Sequence, residues 1–140
     1  MGLLIVGSLG LDSVTTPFDK VEDALGGSAT YISLAASYFS GPVEMVGVVG
    51  KDFPRKYIQL LEDHNINLEG LQIEEGKTFR WGGKYHYDLN VRDTLFTELN
   101  VFESLYALNN SLSATITFSS QYISVADNGP ILSSLALKTV

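Results

Sequence analysis

Hydrophobic and polar positions change their period twice along this 140-residue chain. Residues 3–9, "LLIVGSL", form a short continuous apolar run ending near glycine, the pattern of a strand buried on both faces. Residues 13–25 are mixed and turn-rich, with Pro17 and the acidic "VED", and leave room for a short exposed strand. From Ser28 to about Phe39 the spacing is helical, with Ala29, Ile32, Ala35, Ala36 and Phe39 along one side and Gly41-Pro42 as the stop. "VEMVGVVG" (43–50) reads as a second buried strand. A marked helix follows in "KDFPRKYIQLLEDHNI", with Asp52 as its N-cap and Pro54 in the first turn. Tyr57, Leu60, Leu61 and His64 make its inner face. A β-α-β-α start implies a parallel sheet, so the expected fold class is α/β.

From Asn67 the pattern alternates in "LEGLQIEE", "TFRWGGKYHYD" and "TLFTELNVF", with turns expected at Gly76-Lys77 and at Asn90-Val91-Arg92-Asp93. These strands read as half-exposed, antiparallel in character and separate from the buried pair. Their apolar positions Trp81, Tyr85, Tyr87, Phe96 and Phe102 suggest one face in need of cover. After Glu103 the composition shifts: residues 104–140 carry only Asp127 and Lys138 as charges, with eight serines. In this tail "SATITFSSQYISVAD" reads as a hairpin.

Composition narrows the function. A net charge of −7 without a basic cluster disfavours nucleic acid and anionic membranes as partners. The absence of cysteine excludes disulfides, thiolate metal sites and cysteine nucleophiles. The N-terminal apolar run is too short for a signal segment, which makes the cytoplasm the expected location. His64 and His86 lack acidic neighbours at ligand spacing, so no metal site is expected. No G-x-x-x-x-G-K-[ST] occurs, and "GSLGLD" is not a G-x-G-x-x-G.

Gly26 and Gly27 stand directly before a helix. Two readings are open: a plain turn with Ser28 as N-cap, or bare backbone that a ligand approaches. Asp12 likewise reads as an Asx cap on the turn after the first strand, or as an acceptor for two neighbouring hydroxyls.

"GSLGLDSV", "GGSATY", "VGVVGKD" and "NINLEGLQIEEGKTFRW", in this order and spacing, resemble the N-terminal half of the ribokinase-like (PfkB) family of carbohydrate and nucleoside kinases. The resemblance covers residues 1–103 as a substrate-binding half with a β-lid built largely from residues 67–102. It does not extend to residues 104–140. It implies a partial ribokinase-like (Rossmann-like) parallel sheet, and a site in which Asp12 accepts hydrogen bonds from a sugar or nucleoside while Gly26 and Gly27 offer backbone groups. Tyr31 stands where the family usually has asparagine, so that position would donate from its hydroxyl or stack on a base. Complete members use ATP and Mg²⁺, and in many of them lids pair to form a homodimer. Their catalytic base and anion hole lie in a D-T-x-G-A-G-D segment. The nearest stretch here, "VADNGPILSSLAL", lacks the second aspartate, so no catalytic residue is assigned and the chain reads as truncated before the transfer machinery. A non-catalytic polyol-binding module and an interaction domain dimerising through its lid are the alternatives.

Overall fold

The structure, a computed structural model, describes residues 2–104 and 123–125. Two four-stranded sheets share the chain. The body sheet holds β1 (Leu3–Val6), β4 (Val43–Gly50), β5 (Ile66–Glu74) and β8 (Ile123–Val125) in the order β5-β4-β1-β8, and every pair is parallel. The lid sheet holds β2 (Gly10–Thr15), β3 (Lys20–Gly26), β6 (Phe79–Tyr85) and β7 (Arg92–Glu98) in the order β3-β2-β6-β7. Helices α1 (Ser28–Ser37) and α2 (Arg55–Asp63) are the crossovers β1 to β4 and β4 to β5, and a 3₁₀ turn at Asn100–Ser104 follows β7.

The core lies between the body sheet and its helices. β4 sends Val43, Met45 and Val49 to that side, where Ile5, Leu9, Leu11, Ala29, Phe53, Leu61 and Ile66 join them. Val48 faces the other way and meets Phe102, with Phe79, Leu99 and Val101 around them. The expected α/β class is therefore found, with two differences in the lid. Residues 66–74 lie in the body sheet, hydrogen-bonded parallel to β4, because β5 is an edge strand with only one well-covered face. In turn β2 and β3, from the mixed segment, supply half of the lid. The lid is also not wholly antiparallel. β1 runs on into β2 and β5 into β6; the two body strands point the same way, so β2 and β6 pair parallel.

Several local expectations change for identifiable reasons. Ser28 does not cap α1. Gly27 holds the N-cap position, and Ser8 from the β1–β2 connection takes over the capping: its Oγ accepts from Ser28 N at 3.1 Å and its carbonyl from Ala29 N at 3.0 Å. The helix stops at Ser37, which leaves Phe39 91% exposed, and Ala35 within it lies on the solvent side. Pro54, not Asp52, precedes α2, and Tyr57, Ile58 and Leu61 form its inner face while Leu60 is exposed. The lid turn closes two residues early, at Asp88–Val91, so Arg92 and Asp93 belong to β7. The expected single apolar face divides as well. Phe96 pairs with Gly82 and Thr97 with Trp81, so Trp81 and Phe96 fall on opposite faces, while Phe102 is buried against the body. In the tail, Ile123–Val125 adds parallel to β1; the rest of the expected hairpin lies outside the described residues.

Candidate functional site

Asp12 is the third residue of β2, so it rides on a lid strand rather than in a turn. Its register neighbours are Ala24 on β3 and Trp81 on β6, and a bulge separates it from Val14. Its carboxylate lies where a side chain on Gly26 would begin: a Cβ there would overlap the carboxyl group, with Oδ1 only 2.6 Å away. The group is half-buried, and burial pushes its pKa up. Among the described residues no side chain or amide donates a hydrogen bond to it, which removes the Asx-cap reading. A half-buried carboxylate without donors is costly unless a ligand supplies them.

The other expected residues gather around it in different ways. Gly26 is buried, and its carbonyl accepts from Thr30 Oγ1 at 2.9 Å. Gly27 adopts φ 97° and ψ 144°, a conformation nearly reserved for glycine, and the Ser8 carbonyl occupies the place a Cβ would take. Tyr31 stands one turn into α1 and is 60% exposed, and its hydroxyl donates to the Leu25 carbonyl at 3.0 Å. Burial first, and then the Asp12 charge, raise its pKa. The hydroxyl proton is thus engaged within the chain, which leaves the exposed ring as the surface Tyr31 offers. Trp81 enters the site only through the parallel β2–β6 pairing, which no local pattern announces; Arg92 lies 5.7 Å from its ring centroid.

Comparison with known proteins places this geometry. No family model matches the chain. A cytidine kinase from Thermococcus kodakarensis is 29% identical over 91 residues, which make up 65% of this chain and 32% of that protein. The chain thus spans about a third of the curated relative's length. Among solved structures, a Methanocaldococcus jannaschii nucleoside kinase, described as an archaeal member of the ribokinase family, superposes with TM-score 0.68 at 19% identity. That match takes in 89% of this chain and 44% of the other. A Burkholderia thailandensis nucleoside kinase in complex with inosine gives 0.64 at 17% identity, over 75% of this chain and 38% of that one. The chain has the ribokinase-like fold. The likeness to ribokinase-family kinases expected from its motifs is borne out.

A second cluster joins the two sheets of this ribokinase-like chain, and sequence reasoning missed it by assigning Asp52 to a helix cap. Asp52 Oδ1 accepts from Thr78 N at 2.7 Å and Thr78 Oγ1 at 2.8 Å, and Oδ2 accepts from Arg80 at 3.1 Å. The other arm of the Arg80 guanidinium pairs with Asp23 on β3. Thr78 is fully buried; its hydroxyl also accepts from Gly50 N at 3.0 Å, and its carbonyl accepts from Asn100 Nδ2 at 3.0 Å. Burial opposes ionisation of Asp52, yet the hydrogen bonds from Thr78 and Arg80, with the Arg80 charge, hold its carboxyl below the usual range.

Among the described residues no three His, Asp or Glu side chains gather as metal ligands, and no helix is long and apolar enough to cross a membrane. No transfer step is assigned to the described residues.

Proposed function

We propose that this chain binds a nucleoside through its ribose, as the substrate-binding part of a ribokinase-family kinase. The Asp12 carboxylate carries this reading: half-buried, without a donor among the described residues, seated over Gly26, near Tyr31 and in register with Trp81. An ionised carboxylate can accept from two vicinal hydroxyls at once, and those hydroxyls supply the donors it lacks. The ring of Tyr31 offers an apolar wall beside that diol, suited to a planar base or the C–H face of a sugar. The named relatives, a cytidine kinase and a nucleoside kinase with inosine, favour nucleosides over free sugars. In a complete family member ATP with Mg²⁺ supplies the phosphoryl group; in this chain Asp12 holds and orients the acceptor. The proposed setting is the cytoplasm, with neither nucleic acid nor membrane as partner.

Calorimetric titration of the chain with cytidine, inosine and ribose tests the reading. Binding of a nucleoside that disappears in Asp12→Ala is the expected result. Equal affinity in the parent and the variant takes Asp12 out of the site.

The alternative, an interaction domain that dimerises through its lid, draws on β7. This edge strand is exposed along its whole length and carries Leu95 at 59% and Phe96 at 39% exposure. Light scattering over a dilution series decides: a monomer at every concentration rules out the lid dimer.

A further inference from the structure

The chain passes between body and lid four times: at residues 7–9, at Gly26-Gly27, at residues 75–78 and at Leu99. The last two passages are fastened together and to the end of β4. Val101 N donates to the Lys77 carbonyl at 3.2 Å, and Asn100 Nδ2 donates to the Thr78 carbonyl. Asp52, just beyond β4, takes both the amide and the hydroxyl of Thr78. These bonds hold the connection, but by themselves they do not fix the inclination of the strands beyond it. Arg80 does reach past the connection. From β6 it crosses to Asp23 on the far lid strand β3 with one nitrogen and returns to Asp52 on the body with the other. Tyr57 of α2 adds a hydrogen bond from its hydroxyl to the Asp23 carbonyl at 2.9 Å.

Asp12 sits on the lid and Tyr31 on the body. A change in lid angle therefore alters the space between the carboxylate and the ring. We infer that Asp52 and Arg80 are positioning residues that latch the lid to the body and so set the width of the Asp12 site. Arg80, Asp52 and Asp23 side chains are 24%, 29% and 48% exposed, so the latch is open to solvent and ionic strength weakens it.

The test measures lid angle directly. The chain has no cysteine, so Lys84→Cys on β6 and Glu62→Cys on α2, both at exposed positions, accept a pair of spin labels without background. Double electron–electron resonance on the full chain should give one narrow distance distribution. Arg80→Gln keeps the Asp52–Thr78 bonds, so the fold survives while the distribution broadens; Asp52→Asn broadens it as well. Salt at about 0.5 M should broaden the parent and leave Arg80→Gln unchanged. A distribution in Arg80→Gln with the parent's mean and width overturns the latch.

A second arm rests on the nucleoside-binding reading. A freed lid that spends about a fifth of its time at the competent angle lowers apparent cytidine affinity roughly fivefold. Asp12→Ala should abolish binding with the label distance unchanged, which separates the two claims. A parent that binds no nucleoside counts against the binding reading alone, and the distance distributions still decide the latch.

Discussion

Replacing Gly26 by alanine separates the site from the stability of the fold. Gly26 has an ordinary negative φ, because only Gly27 and Gly76 among the described glycines adopt positive values. An alanine can therefore follow the backbone without strain. Its Cβ overlaps the carboxyl group of Asp12 and nothing else as closely. The carboxyl group is the end of a short side chain that can rotate, at a cost of about 0.5–1.5 kcal/mol if it must leave its rotamer. Against this, the alanine restricts the unfolded chain and returns about 0.4–1 kcal/mol. The two nearly cancel, so the melting temperature of Gly26→Ala should stay within about 5 °C of the parent. Binding should not survive as well. A displaced Asp12 loses hydrogen bonds from ligand hydroxyls worth about 1.5–3 kcal/mol, an affinity loss of roughly 10- to 150-fold. Calorimetry with cytidine on Gly26→Ala, Asp12→Ala and the double variant provides the assay. Because both substitutions remove the same contact, their effects should not add. Full affinity in Gly26→Ala, or additive losses in the double variant, refutes the argument. Gly27→Ala is the contrasting control. There the backbone itself is special and the obstacle is the Ser8 carbonyl, so about 1–3 kcal/mol of stability is lost outright.

Three further outcomes follow from the same geometry. Burial holds the Asp12 pKa above its unfolded value, so its ionisation costs stability fully above the folded pKa and not at all below the unfolded one; Asp12→Asn should melt higher than the parent at pH 7, an advantage that fades on acidification through the carboxylate range. Leu61→Ala removes a fully buried side chain from the centre of the core and should cost about 2–5 kcal/mol in denaturant unfolding. In a coupled assay the purified chain should release no nucleoside-dependent ADP, since "VADNGPILSSLAL" does not supply the family's catalytic base; turnover that survives stringent purification contradicts this.

Local pattern was enough wherever one strand or helix is buried by its own neighbours. The apolar runs at 3–9 and 43–50, with the amphipathic α2 between 43–50 and Ile66, determine a β-α-β-α start, because only parallel strands with crossover helices bury such runs on both faces. The motif order around Asp12, Gly26 and Gly27 likewise points to the ribokinase-like fold. Which sheet a half-exposed strand joins is another matter. β5 alternates as an edge strand of the body sheet would and as a lid strand would, since both have one wet face; only its parallel bonds to β4 decide. Asp52 followed by Phe53-Pro54 has the local form of a helix cap, and yet Thr78, 26 residues away, offers it an amide at 2.7 Å and a hydroxyl at 2.8 Å. Trp81 reaches the Asp12 site, and Arg80 reaches both Asp23 and Asp52, because two strands from distant parts of the chain run side by side. Periodicity records how a residue is covered, not which residue covers it, and the site and its latch both depend on the second.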